Sequence, residues 1–193
     1  MATDRLETVL KRYLIAEFDE LHRLGSREYL DEDYELAEEV ERYLEDMYLE
    51  GFSSAFYMLG MDVEAPEISF MLAAIWAEIE GLNFRDRLER EIDDWEIWRI
   101  VRTEGHRVFV EGQSDGARQA AETSQQPIVK RWVSRLDLRV RNTHQDLEGV
   151  TLPLDGWFVT PNGQAQRPGE FGVAEEDVNC RCVLHITTGR TAE

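Results

Sequence analysis

The feature that most limits how this chain can fold is a change of period at residues 124–127, Ser-Gln-Gln-Pro. Before this break, apolar residues recur at three- and four-residue steps. After it they come in short, β-branched, partly alternating runs. A period near 3.6 lays side chains along one face of a helix and a period of 2 along one face of a strand. A chain carrying both is neither all-helical nor all-β. Proline lacks the backbone donor a helix needs and disfavours helical geometry in the residue before it, so a helix reaching Gln126 has to stop. The expected fold class is α+β. A helical region spans residues 1–123, and a compact C-terminal module of short strands and one short helix spans 124–193.

Within the helical region, Leu6, Val9, Leu10, Tyr13, Leu14, Phe18 and Leu21 predict an amphipathic helix over 3–24, with Thr3 as N-cap and Gly25-Ser26 as the stop. A second stripe, Leu36, Val40, Tyr43, Leu44 and Met47, predicts a helix from about Asp33 to Glu50, which Gly51 either ends or merely weakens. The segment from Ile68 is apolar nearly all round, which predicts burial in a bundle or against a partner. A long charged helix follows over 84–111, with a continuation toward residue 122. Leu88, Ile92, Trp95, Trp98 (or Ile97), Val101 and Gly105 mark its inward stripe. Beyond Pro127, a strand at 128–133 leads to a short helix that Gly149 ends. VTLPLD, WFVTPNG and VLHITT then read as short strands between Gly and Pro turns.

The chain is long enough for one good core. No apolar run reaches the roughly 18 residues that span a bilayer, and the N-terminus has no signal-peptide core, so the expectation is a protein with no membrane association. Its formal net charge is -19, from 40 acidic and 21 basic residues. Only Lys11 and Lys130 are lysines; every other basic residue is arginine. Such a surface repels itself unless salt screens it, and at molar salt the Debye length is only about 3 Å. The composition points to a halophilic host, although a GC-rich genome also favours arginine over lysine. Residues 1–100 hold 27 acids and 10 bases, whereas residues 101–193 hold 13 and 11. The two regions therefore face different surroundings.

The C-terminal third carries a series of elements in fixed order: Trp132, Asp137, Arg141, His144, Gly149, Phe158, Pro168-Gly169 and Asn179-Cys180-Arg181-Cys182. Upstream stands Arg102-Thr103-Glu104, followed by His106-Arg107. The series, starting near residue 97, resembles the signature of the phage Mu protein F-like minor head protein family. One departure is that Glu170-Phe171 follow the Pro-Gly pair, where the family usually has Asp-Pro. The resemblance implies a minor structural protein of a tailed-virus capsid, acting in head morphogenesis. It would be located in the virion, near the portal or head interior, and be made in the host cytoplasm. With the acidic composition, the virus would be one of a halophilic archaeon. Implied partners are the portal protein and other capsid subunits in a multi-subunit assembly, with contact to packaged DNA as a further option. Nothing implies an obligatory cofactor.

The residues also carry their own chemistry. His144 with Arg141 and Asp137 suggests an acid/base group beside a phosphate clamp, and so a ribonuclease-like alternative. The plainer reading, which we favour, is a buried polar knot in which Asp137 pairs with an arginine and His144 donates to a backbone carbonyl. Cys180 and Cys182, with His185 and also His144, are a weak candidate set for zinc, because the spacing of one is tighter than usual. Their plainer reading is two small buried hydrophobes. Arg102 and Glu104 are expected to tie the long helix to the C-terminal module through ion pairs, with Thr103 facing that interface. Lys130, Arg131, Arg135, Arg139 and Arg141 form a local basic stretch that would suit phosphates, but the net charge opposes that use. The segment 68–79, with Met71, Leu72, Ile75 and Trp76, is a candidate docking surface.

Overall fold

A computed structural model of the chain describes residues 33–79, 81–88, 94–135 and 137–189. The expected helix over 3–24 lies outside the described residues, as do the side chains of Leu88, Ile92, Trp95 and Trp98. The helices are α1 (Asp33–Leu59), α2 (Ile68–Ile75), α3 (Phe84–Leu88), α4 (Asp94–Ser124), α5 (Asn142–Asp146) and α6 (Ala174–Asp177). The strands are β1 (Ile128–Val133), β2 (Thr151–Pro153), β3 (Phe158–Thr160), β4 (Gly163–Ala165) and β5 (Val183–Thr188). The architecture is α+β, long helices followed by a small module of antiparallel strands, as the change of period predicted.

Helices α1 and α4 form the scaffold, and glycine lets them meet backbone to backbone. A Cβ at Gly51 would lie 1.9 Å from the Phe109 carbonyl oxygen. One at Gly112 would lie 2.3 Å from that of Tyr48, and one at Gly116 2.4 Å from that of Phe52. Gly51 therefore does not end α1. It is the close-approach point that lets the helix run on to Leu59 through Phe52, Ala55 and Phe56, all buried. The Tyr48 hydroxyl donates to Asp115 Oδ2 at 2.8 Å across the same crossing.

Helix α2 covers only the first part of the apolar segment that begins at Ile68. The predicted helix over 84–111 is α3 followed by α4, with residues 89–93 outside the described set. Helix α2 buries only Ala74 and Ile75, and the Arg107 guanidinium fastens its end by donating to the Ala74 carbonyl at 2.8 Å. Its other face is open. Ile68 is 65% exposed, Phe70 56% and Leu72 43%, so the described residues do not cover this face.

In the C-terminal module, β1 is the centre of a three-stranded antiparallel sheet ordered β2-β1-β5, and β3 and β4 form a hairpin. The register places Trp132 opposite Leu184 and Lys130 opposite Ile186. Helix and sheet share one core: Leu184 and Ile186 belong to the same buried cluster as Phe52, Phe56 and Val108. The Gln113 side chain works as a short strand partner. Its amide donates to the Leu184 carbonyl at 3.2 Å, and its oxygen accepts from the Leu184 N–H at 3.1 Å. A buried amide with both ends satisfied pins α4 to β5 at one register.

Candidate functional site: a buried histidine, thiol and carboxylate cluster

The motif residues converge around Trp132, which β1 carries inward and which is fully buried. Its ring meets those of His144 (centroids 5.1 Å apart), Phe158 (5.0 Å) and Phe171 (6.1 Å) edge-on, while His144 stacks against Phe171 at 5.9 Å. Edge-to-face contacts of this kind add to simple area burial. The Trp132 indole N–H is buried without a hydrogen-bond partner.

His144 sits on the short α5 and is 1% exposed. Its Nε2 lies 2.9 Å from Glu176 Oε2 on α6. This corrects the expectation that it would donate to a backbone carbonyl. Glu176, itself fully buried, also accepts from the Thr143 hydroxyl and from Asn162 Nδ2, both at 2.9 Å. Burial pushes the Glu176 carboxyl up, but these donors and His144 together outweigh it, so the net displacement is downward.

The opposite ring nitrogen, Nδ1, faces both thiols: 3.7 Å to Cys180 Sγ and 3.5 Å to Cys182 Sγ. Both cysteines are free and buried. The hydrogen bond from the Cys182 thiol lowers the Cys180 pKa well below that of an ordinary thiol, against the effect of burial and with help from His144. Cys182, the donor of that bond and buried, is raised.

Arg181, between them, turns the other way and grips Asp137 through two bonds of 2.6 and 2.7 Å. That grip, opposed slightly by burial and aided by the Arg139 N–H, holds the Asp137 carboxyl down at about 2. Asn179 supplies the turn before the pair with φ 56°, a left-handed conformation that asparagine tolerates better than most residues. Gly149 ends the α5 turn at φ 79°. Arg141 donates to the Val178 carbonyl.

Three further expectations are corrected. First, Glu104 does not reach the C-terminal module. It is fully buried, 2.7 Å from Arg87 Nη1 on α3 and 2.9 Å from Arg107 Nη2 on its own helix. The links from α4 to the module come instead from His106, whose Nε2 donates to the Cys182 carbonyl at 2.7 Å, from Gln113, and from Glu111, 2.8 Å from Arg167. Arg102 is partly buried on the same helix. Second, His185 lies outside the thiol cluster. Among the described residues, the group with ligand atoms within 4.8 Å of one another is His144, Cys180 and Cys182. His185 stands opposite Arg131 in the sheet, where burial and that guanidinium lower its pKa. Third, the basic stretch does not form one surface. Lys130 points inward, its Nζ donating to the Leu154 carbonyl at 2.6 Å, whereas Arg139 is exposed.

An open cavity of about 280 Å³ lies elsewhere, between α4 and residues 169–178, lined by Arg87, Arg99, Thr103 and Arg107 among others. His144, Asp137 and Arg141 are not part of its lining. Reading the sequence missed Glu176, Phe171, Gln113 and the role of His106. Only His106 had a signal, through its place beside Arg-Thr-Glu.

With this geometry in place, comparison with known proteins becomes informative. The profile of the family described as phage Mu protein F like protein matches residues 79–185. The chain is 38% identical over 106 residues to the NAD(+)–arginine ADP-ribosyltransferase EFV of Enterococcus faecalis, covering 54% of this chain and 22% of that protein. It is 40% identical over 85 residues to the minor head protein GP7 of Bacillus phage SPP1, covering 44% of this chain and 27% of that one. The chain thus spans about a quarter of the length of these relatives. No solved structure matches it significantly.

Proposed function

The chain belongs to the phage Mu protein F-like family, and from that membership we propose that it is a minor structural protein of a tailed-virus head, acting in head morphogenesis. The observation that carries this reading is how the motif side chains are used. Trp132, His144, Asp137, Arg141 and Arg181 are all engaged with neighbours inside the fold. A nuclease needs its acid/base group in an open cleft beside a phosphate clamp. Here His144 is buried, and Asp137 and Arg141 are turned to separate partners. The activity in the name of the Enterococcus faecalis relative belongs to a protein of which the shared segment covers 22%. The 40% identity to the SPP1 minor head protein supports the virion reading more directly.

In this reading the C-terminal module holds shape, and the helical region meets portal or capsid subunits. The open face of α2, with Ile68, Phe70 and Leu72, is an apolar surface available for such contact among the described residues. Contact with packaged DNA fits less well, because the net charge is -19 and the basic stretch is dispersed. Quantitative mass spectrometry of purified virions tests the proposal. Recovery of the chain at a few copies per particle is expected, and its absence from mature particles would refute the head role.

A further inference from the structure

His144, Cys180 and Cys182 present three ligand atoms to one point. The sulfurs stand 3.7 and 3.5 Å from His144 Nδ1. In a zinc tetrahedron with Zn–S near 2.3 Å and Zn–N near 2.0–2.1 Å, a sulfur and a nitrogen ligand stand about 3.5 Å apart. The spacing here is that of coordinated ligands. Both distances also lie within hydrogen-bond reach of a sulfur, so the trio is already gathered before any ion binds.

Three features around the trio fit the same purpose. Glu176 Oε2 lies 2.9 Å from His144 Nε2, so the tautomer with its proton on Nε2 would face the carboxylate and leave the Nδ1 lone pair toward the thiols. A carboxylate behind a ligating imidazole is the usual outer partner in metal sites. Arg181, between the two cysteines, is held outward by Asp137, while both thiols are buried on the inner side. The Trp132 indole N–H, on the ring packed edge-on against His144, is buried without a hydrogen-bond partner.

We propose that His144, Cys180 and Cys182 bind a zinc ion, with Glu176 as the positioning residue for His144. Two thiolates and a neutral imidazole balance the charge of Zn²⁺, which removes the penalty of burying a naked charge among Trp132, Phe158 and Phe171. Binding displaces the two thiol protons to solvent. Among the described residues no fourth His, Cys, Asp or Glu joins the group, so a water takes the fourth vertex. The ion would link α5 to the segment ahead of β5 and so lock the module, independently of any role in a virion.

The test uses the full chain, purified, reduced and stripped with chelator. Titration with Co²⁺ is expected to give a thiolate-to-cobalt charge-transfer band and tetrahedral visible bands that saturate at one ion per chain and vanish when Zn²⁺ is added. Cys182→Ser is expected to abolish the charge-transfer intensity or shift it sharply. Glu176→Gln, which keeps all three ligands, is expected to weaken zinc binding 10–100-fold in a competition titration. No charge-transfer band from the reduced wild-type chain would overturn the proposal. So would undiminished binding by the Cys180→Ser, Cys182→Ser double variant, or a Cys180–Cys182 disulfide in the isolated protein with no metal uptake after reduction.

Discussion

Gly112→Ala is the sharpest test of the helix scaffold. The added methyl would sit 2.3 Å from the Tyr48 carbonyl oxygen and 2.9 Å from the Phe52 nitrogen, where ordinary contact begins near 3.4 Å. Both neighbours are backbone, so no rotamer change can relieve the clash. The helices have to move apart by about 1 Å or tilt, which loosens Tyr48, Phe52 and Phe56 against α4. Overpacking of this kind costs about 3 kcal/mol, and the better helix propensity of alanine returns about 1 kcal/mol. The net loss is about 2 kcal/mol, a large share of the roughly 5–15 kcal/mol that holds a typical domain together. Urea unfolding followed by far-UV circular dichroism should show a lower midpoint at unchanged m-value. A midpoint equal to or above that of the wild type would refute the close crossing, because at an unconstrained helix position alanine only stabilises.

Three further outcomes follow from particular residues. Burial, together with Arg118 and Arg167, holds the Lys130 ammonium down at about 8, so between pH 8 and about 10.5 the unfolded chain binds a proton that the folded chain lacks. Stability should therefore rise with pH across that window, by up to about 3 kcal/mol, and Lys130→Met should abolish the rise; an unchanged slope in the variant would count against the assignment. Asn179→Gly should be nearly neutral, whereas Asn179→Val, forced to φ 56°, should lose about 1–3 kcal/mol by thermal unfolding. Finally, with a net charge of -19, the melting temperature should climb steeply between low and molar potassium chloride, and a flat salt response would dispose of the halophilic reading.

The parts of this fold that were legible in the sequence are those set by local chemistry. Helix α4 ends at Ser124 and β1 begins at Ile128, either side of the Ser-Gln-Gln-Pro break, and Gly149 ends the α5 turn. The Gly51 position was ambiguous because its reason lies on another helix, 58 residues away at Phe109. Glu176 was invisible for a similar reason. It is one of 40 acids, and what sets it apart is the donors from Thr143 and Asn162, with the His144 ring beside them, that only the tertiary fold assembles. His185 was drawn into the thiol group by its nearness in sequence. Yet alternation carries Cys182, Leu184 and Ile186 inward together and leaves His185 half-buried on the other face. The same period that places both thiols on one side argues against the histidine three residues on.

The shared core has a practical implication for dissecting such proteins. The segment that matches the family begins at residue 79, yet one wall of the chamber enclosing β5 is α1, which ends twenty residues earlier. Phe52, Phe56 and the Met58 sulfur, which accepts from the Ile186 N–H at 3.2 Å, all come from that wall. Excision at the boundary of the sequence match would strip the sheet of its lining and leave Leu184 and Ile186 facing water. Any longer protein that transplants this segment has to provide a substitute helix of its own, with small residues where the backbones touch.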